Sequence, residues 1–331
     1  MILIEEATNA SCGPCAEQNP VLGQFLTDHS NAVIGVSYHA WWPGDNDPMY
    51  IGDDTMNANR IQYYYFDTIG VPTCVIAGWY APPSDSNYFY MGSPADTDAM
   101  AQSVTAAEAL TSPVTLSVNR YTQHDSEQVR VTVHALENVT GASLRVIVVE
   151  AEHDYDNAGD NGETAFYHIA RKMLPSYDGT TFSIAANASK NFFFQYQYNP
   201  AWTTDQLSII AFVQFDTDKS IRTAVKTTDA PASGFVSGVL TADQSQGLSM
   251  HVLGSPLNPE VAYTLHGNEP VRVTFSIVDI LGRNVIPSQT EVVSPGDHVF
   301  DFHSASLVSG TYHVIARTQN NLIQVPLIIE H

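Results

Sequence analysis

Two cysteines separated by two residues, Cys12-Gly13-Pro14-Cys15, follow the strand-like run Ile2-Leu3-Ile4-Glu5-Glu6-Ala7-Thr8. Pro14 suits the first turn of a helix, where its missing N–H would be unsatisfied anyway. A Cys-x-x-Cys alone is open to three readings: a redox pair, half of a zinc site, or a structural crosslink. Its place between a strand and a helix narrows them, and Gly70-Val71-Pro72-Thr73 further along narrows them again. Thiol–disulfide chemistry is the first expectation.

The 331 residues are enough for two or three domains, each with its own core. Against 13 basic residues stand 35 acidic ones, a formal charge of −22. That field repels phosphates, so nucleic acid and anionic membrane surfaces are not expected partners. Three cysteines do not make a disulfide-stapled scaffold. No apolar run is long enough to span a membrane, and no signal peptide is visible. Met1 opens directly onto a hydrophobic strand; the expectation is that a signal or anchor segment preceding it has been removed.

Residues 1–110 alternate strand and helix patterns, which predicts an α/β layer structure. A strand over 2–7 leads to a helix from about Pro14 to Thr27, and then to the strand Ala32–Tyr38. Trp41-Trp42-Pro43-Gly44-Asp45-Asn46-Asp47 reads as a surface insertion. A helix near 53–67, a strand over 73–77 and an Ala-rich helix over 95–110 complete this part. Beyond Thr111-Ser112-Pro113 the pattern becomes period-two, as in Val129-Arg130-Val131-Thr132-Val133, and predicts an all-β sandwich over 111–228. Residues 229–246 read as a polar linker and 247–331 as a smaller β module.

A cysteine attacks a disulfide as its thiolate, and a helix N-terminus lowers a thiol pKa. Cys12 holds that position and is the candidate nucleophile. Cys15, one turn further in, would resolve the mixed disulfide. Cys-Gly-Pro-Cys matches the thioredoxin superfamily residue for residue, and the surrounding positions extend the resemblance. Pro20 falls where that family has a helix-kinking proline, and Glu6 where it keeps a buried carboxylate that exchanges protons with the resolving cysteine. Val71-Pro72-Thr73 resembles the cis-proline loop that packs on the sulfurs and pairs with substrate backbone. The resemblance therefore implies Glu6 as proton relay and Val71, Pro72 and Thr73 as the docking site. Ser11 departs from the pattern, standing where the family has tryptophan. Cys74 reads as a buried strand residue, with a third redox partner as the alternative. Zinc would need two more convergent ligands, for which His39 and Cys74 are weak candidates.

Further landmarks are Ile4-Glu5-Glu6-Ala7-Thr8, Tyr63-Tyr64-Tyr65, Tyr167-His168 and Arg171-Lys172-Met173-Leu174-Pro175. With the Cys-x-x-Cys they resemble the bacterial 28-kilodalton outer-membrane protein family over roughly residues 1–228. Asn258-Pro259, Val278-Asp279-Ile280-Leu281-Gly282-Arg283, Gly296-Asp297-His298 and Leu307-Val308-Ser309-Gly310-Thr311-Tyr312 resemble a type IX secretion sorting domain, which would act as a transport address. A plain immunoglobulin-like adhesion module is the alternative. The loop 154–163 gathers Asp154, Asp156 and Asp160, oxygen ligands that suit calcium. Their spacing does not fit an EF-hand, and a solvated acidic loop is expected.

The expected fold class is therefore multidomain: an α/β thioredoxin-like domain, an all-β immunoglobulin-like sandwich and a smaller C-terminal β-sandwich. The expected function is an exported thiol–disulfide oxidoreductase acting on protein thiols or disulfides, without a cofactor, and handled by type IX secretion machinery. The alternative is a surface or extracellular binding and structural protein with a structural disulfide, able to self-associate through its β domains. Either way the expected location is the outer-membrane surface or beyond it.

Overall fold

The opening run forms strand β1 (Ile2–Thr8), buried along almost its whole length, in the computed structural model. The structure describes residues 1–64, 70–78, 91–123, 126–155, 159–227, 232–233, 248–255, 258–265, 269–279, 282–302, 306–318 and 322–330. After β1 come α1 (Gly13–Asp28), β2 (Val33–His39), α2 (Pro48–Ile51), α3 (Asp54–Tyr63), β3 (Thr73–Ile76), β4 (Met91–Gly92) and α4 (Thr97–Glu108). Every residue of β2 is buried. Continuous burial of that kind belongs to interior strands covered on both faces. β1 pairs with β2 in parallel and with β3 antiparallel.

The chain continues through β5 (Val114–Gln123), β6 (Ser126–Ala135), β7 (Val139–Asp154), β8 (Ala165–Leu174), β9 (Thr180–Ile184), β10 (Ser189–Gln197), β11 (Leu207–Phe215) and β12 (Ser220–Thr227). These strands decide the architecture. One nine-stranded sheet runs β12-β11-β7-β8-β2-β1-β3-β4, with β9 on β7. The junction is the parallel pairing of Ser37 in β2 with Ile169 in β8. On one face Ile4, Val33 and Ile76 pack with Leu22 and Phe25 of α1 and Met100 and Val104 of α4. On the other, Leu3, Val36, Tyr38 and Val75 share a core with Ile147, Ile210, Phe212 and Ile221. Each such large apolar side chain contributes roughly 1.5–3 kcal/mol on burial.

The expected fold class is overturned here. With twenty strands against four α-helices the described residues are mostly β. They hold no separate α/β thioredoxin-like domain with an immunoglobulin-like sandwich after it. The physical reason is a buried polar cluster that ties the early strands to the later ones. Arg60 of α3 donates from Nε and Nη2 to both oxygens of Glu5, each at 2.8 Å. Its Nη2 also reaches Gln214 of β11 at 3.1 Å, and Arg145 of β7 donates to the same Gln214 oxygen at 3.0 Å. Tyr38 and Tyr64 donate their hydroxyls to Glu5 at 3.0 and 2.7 Å. A buried guanidinium needs its partners in place, and one of those of Arg60, Gln214, comes from β11.

By its contacts the chain divides into two compact units. The first is Met1–Val118, Val131–Lys190 and Tyr198–Asp229; the second is Asn119–Arg130, Asn191–Gln197 and Ala230–His331. A four-stranded sheet runs β10-β6-β5-β13, where β13 is Ala232–Ser233. The remaining strands are β14 (Leu248–Ser255), β15 (Asn258–Leu265), β16 (Val271–Asp279), β17 (Gln289–Val293), β18 (Gly296–Phe300), β19 (Gly310–Arg317) and β20 (Leu322–Ile329). They form sheets β14-β15-β18 and β17-β16-β19-β20 around a shared core that includes Val261, Phe275, Val314 and Leu327. Gly282 and Gly296 have φ of 79° and 122°, a region that favours residues without a Cβ.

Candidate functional site

Cys12 is the N-cap of α1, with extended backbone. Its Sγ accepts the amide N–H of Cys15 at 3.1 Å, meeting one of the helix's orphan donors. The two cysteines form a disulfide. Pro20 lies inside α1, as its sequence position implies. Val71-Pro72 is a cis peptide, and the Val71 carbonyl oxygen lies 3.5 Å from Cys12 Sγ. A disulfide sulfur carries no proton, so this is a contact, which would become a hydrogen bond only with Cys12 as a thiol. Thr73 starts β3 and donates its hydroxyl to the Gly70 carbonyl at 2.9 Å. The structure thus brings Cys12, Cys15 and the Val71-Pro72-Thr73 loop together.

Glu6 projects from β1 between Ser37 and Cys74, its register partners on the two neighbouring strands. Ser37 donates to Oε2 at 2.8 Å, while Oε1 is buried with no partner among the described residues. Burial pushes the Glu6 pKa up to about 8, with the Ser37 hydrogen bond opposing and nearby Glu163 adding to it. Cys74 is a free, fully buried thiol. Burial, and then the charge of Glu6, pushes its pKa well up. Such a thiol is inert rather than nucleophilic.

A cavity of about 40 Å³ adjoins Glu6, lined also by Ser37, His39, Glu163 and His168. At ~10–15 Å³ per water it has room for about three or four. His168 has φ of 55°, and its Nδ1 is sealed from solvent without a partner among the described residues. Burial, and then Lys226, lowers its pKa to about 4. Two polar groups that need water therefore border one small space.

Two loops that sequence reasoning did not assign to the site pack on residues 9–12, the segment that leads into the disulfide. The first is the aromatic-acidic stretch 41–47, which is more than a surface insertion. Asp47 is fully buried and caps α2. Its Oδ2 accepts the Ala10 amide at 2.8 Å and meets His39 Nδ1 at 2.7 Å. Burial alone would raise its pKa; His39 and the amide donors outweigh that and hold it low. Asn9 anchors the same loop, donating to the carbonyls of Ala40 and Gly44. The legible signal was Asp47-Pro48, an N-cap followed by proline at the first helical position.

The second loop is Gly159–Glu163. The Asn161 amide N–H reaches Ala10 O at 3.2 Å, and Asn161 Nδ2 reaches Cys12 O at 3.1 Å. The Asp160 amide donates to Ser11 Oγ at 3.3 Å. Glu163 accepts from Asn19 at 2.8 Å and from Asn161 Nδ2 at 2.6 Å. Burial raises the Glu163 pKa despite those donors. Gly159 sits so close that a Cβ there would lie 2.3 Å from the Ala10 carbonyl oxygen. The result is a disulfide closed off from solvent: Cys12 is 2% exposed and Cys15 0%.

Of the calcium candidates, Asp154 ends β7, Asp160 belongs to the enclosing loop and Asp156 lies outside the described residues. Among the described residues no group of three or more His, Cys, Asp or Glu gathers as metal ligands.

The family model described as outer membrane protein Omp28 matches residues 60–229. No curated protein matches the sequence. Among solved structures, HBP35 of Porphyromonas gingivalis is similar with a TM-score of 0.58 at 13% identity, over 99% of this chain and 98% of that one. A protein from Agrobacterium tumefaciens has a TM-score of 0.45 at 14% identity, over 71% of this chain and 97% of that one. A domain of the outer membrane lipoprotein Omp28 from Porphyromonas gingivalis has a TM-score of 0.29 at 18% identity, over 37% of this chain and 92% of that one. At such identities the likeness to HBP35 bears on fold alone.

Proposed function

Because this chain belongs to the Omp28 family of outer membrane proteins, we propose that it works as a cell-surface or extracellular binding and structural protein whose Cys12–Cys15 disulfide holds its scaffold. It is an exported protein of the outer membrane surface or the space outside it. Among the described residues no helix is long and apolar enough to cross a membrane. One observation carries the reading: the bonded pair is sealed, with Cys12 2% and Cys15 0% exposed beneath two hydrogen-bonded loops. A dithiol oxidoreductase has to offer its first sulfur to a substrate disulfide. In-line attack needs an open approach, and Cys12 at 2% exposure does not offer one.

Residues 247–331, with their glycine turns, would serve as the address read by type IX secretion machinery. Exposed strands of the β modules, such as β17 with Val292 65% exposed, would give the chain its means of self-association.

A second reading rests on the Cys12 N-cap and the Val71 carbonyl 3.5 Å from its sulfur. In it Cys12 attacks, Cys15 resolves, Glu6 relays protons and Val71-Pro72-Thr73 docks the substrate chain. Insulin reduction with dithiothreitol separates the two readings. The structural reading expects the wild-type chain and Cys12→Ser to give the same slow background. Turnover by the wild type that Cys12→Ser abolishes would overturn it.

A further inference from the structure

Loops 41–47 and 159–163 both pack on residues 9–12, the segment that leads into the disulfide, but they are held in different ways. The first is fixed by a fully buried aspartate whose two oxygens meet His39 and the amides of Ala10, Met49 and Tyr50. The second is fixed from one side by two residues. Asn161 bridges to the carbonyls of Ala10 and Cys12, and Glu163 ties Asn161 to Asn19 of α1. Between them Asp160, Gly162 and Thr164 are exposed. Losing the Asp47 anchor would strand buried groups, whereas losing the Asn161–Glu163 anchor returns its donors and acceptors to water. When the site opens, the second loop is the one that leaves.

We propose that Gly159–Glu163 is a releasable strap that shuts the Cys12–Cys15 disulfide away from thiols in its surroundings, so that displacing it makes the pair reducible. The proposal rests on the reading of the pair as a protected disulfide and adds what protects it. The chemistry it controls is ordinary exchange with an external dithiol. A thiolate of the dithiol attacks one sulfur, the Cys12–Cys15 bond breaks, and the departing sulfur takes up a proton. The second thiol of the reductant, deprotonated, then attacks the mixed disulfide. The second cysteine is released and protonated, and the reductant leaves as its own disulfide. With the strap in place, Asn161 is bonded to the Cys12 carbonyl and Gly159 lies on Ala10, two residues before that cysteine.

The strap can be lifted in two independent ways. Gly159→Ala places a methyl 2.3 Å from the Ala10 carbonyl oxygen, a backbone atom that cannot swing aside. Asn161→Asp keeps the side-chain shape, removes the Nδ2 donor to Cys12 O, and sets a carboxylate against Glu163 Oε2, now 2.6 Å away. Cys74, free and fully buried, reports global unfolding in the same tube.

The whole chain is exposed to excess dithiothreitol under native conditions. Aliquots are quenched with N-ethylmaleimide, and labelling of Cys12, Cys15 and Cys74 is read by peptide mass. The expected result is slow reduction of the wild-type pair and reduction about tenfold faster in both variants, a hydrogen bond being worth roughly two- to tenfold in a local opening equilibrium. Cys74 should stay unlabelled throughout. Slow reduction of the wild type with no acceleration in Asn161→Asp would overturn the strap and leave the protected pair standing. Reduction of the wild-type pair as fast as in the urea-unfolded chain would overturn the protected pair itself. Acceleration that labels Cys74 in step would assign the effect to unfolding and overturn the strap.

Discussion

Replacing Glu6 with glutamine should remove a pH dependence that the wild-type first unit carries. The Glu6 carboxyl is fully buried, receives one hydrogen bond from Ser37, and leaves Oε1 unpartnered beside a cavity that Glu163, His39 and His168 also face. Its pKa rises from the ordinary 4.5 to about 8. A carboxyl with a raised folded pKa favours the fold while protonated. Its contribution is complete below pH 4.5, declines as the unfolded chain ionises above that, and is lost as pH passes about 8. At about 1.4 kcal/mol per pH unit, that interval corresponds to ~5 kcal/mol, an order-of-magnitude ceiling that water in the cavity would reduce. Glu6→Gln keeps an oxygen for Ser37 and cannot ionise. It should match the wild type near pH 5 and exceed it by several kcal/mol near pH 9. All four tryptophans fall in the first unit, so urea unfolding followed by tryptophan fluorescence reads that unit alone. Subtracting the two profiles cancels most of what Glu163 and His168 contribute. A difference that stays flat from pH 5 to 9 would refute the assignment of Glu6 as a neutral buried acid.

Arg60→Met leaves Glu5 buried without its ion partner and should destabilise the first unit by roughly 3–5 kcal/mol. In the second unit Arg130→Met breaks a pair with Glu260, whose side chain is 35% exposed, and should cost less than about 1 kcal/mol by calorimetry. Residues 1–110 expressed alone lack Gln214 and the core partners Ile147, Ile210 and Phe212, and should show no cooperative thermal transition by circular dichroism.

Local structure near the cysteines was legible because it is set by short-range chemistry. Proline in the first turn, a cysteine at the cap and a strand before it placed α1 at Gly13–Asp28, within two residues of expectation. The Val71 carbonyl lies 3.5 Å from Cys12 Sγ. The sheet was not legible, because period-two alternation says which residues face a core and leaves the neighbouring strand undetermined. β7 and β11 are buried in unbroken runs, which marks them as interior strands and does not name the strands beside them. Gly159–Glu163 was hidden for a related reason. Its acidic composition suggested a solvated loop, while its role depends on meeting Ala10 and Cys12 about 150 positions earlier in the chain.

One local signal did point to the larger arrangement, in the adjacent acids Glu5 and Glu6. Neighbouring residues on a strand face opposite sides of the sheet, so one of the pair should reach solvent if either face is open. Neither does, at 0% and 2% exposure, and each is accommodated differently. Glu5 is paired with Arg60, a solution that needs α3 and β11 over its face. Glu6 is held neutral by burial, a solution that needs only a hydroxyl donor and a dry or sparsely watered surround. Two acids side by side on an apolar strand thus require cover on both faces. The helices α1 and α4 account for one face and leave the other to α3 and the later strands. That demand makes β1 an interior strand of a larger sheet, and it joins the segment carrying the disulfide to residues 139–190 and 198–227 in one folding unit.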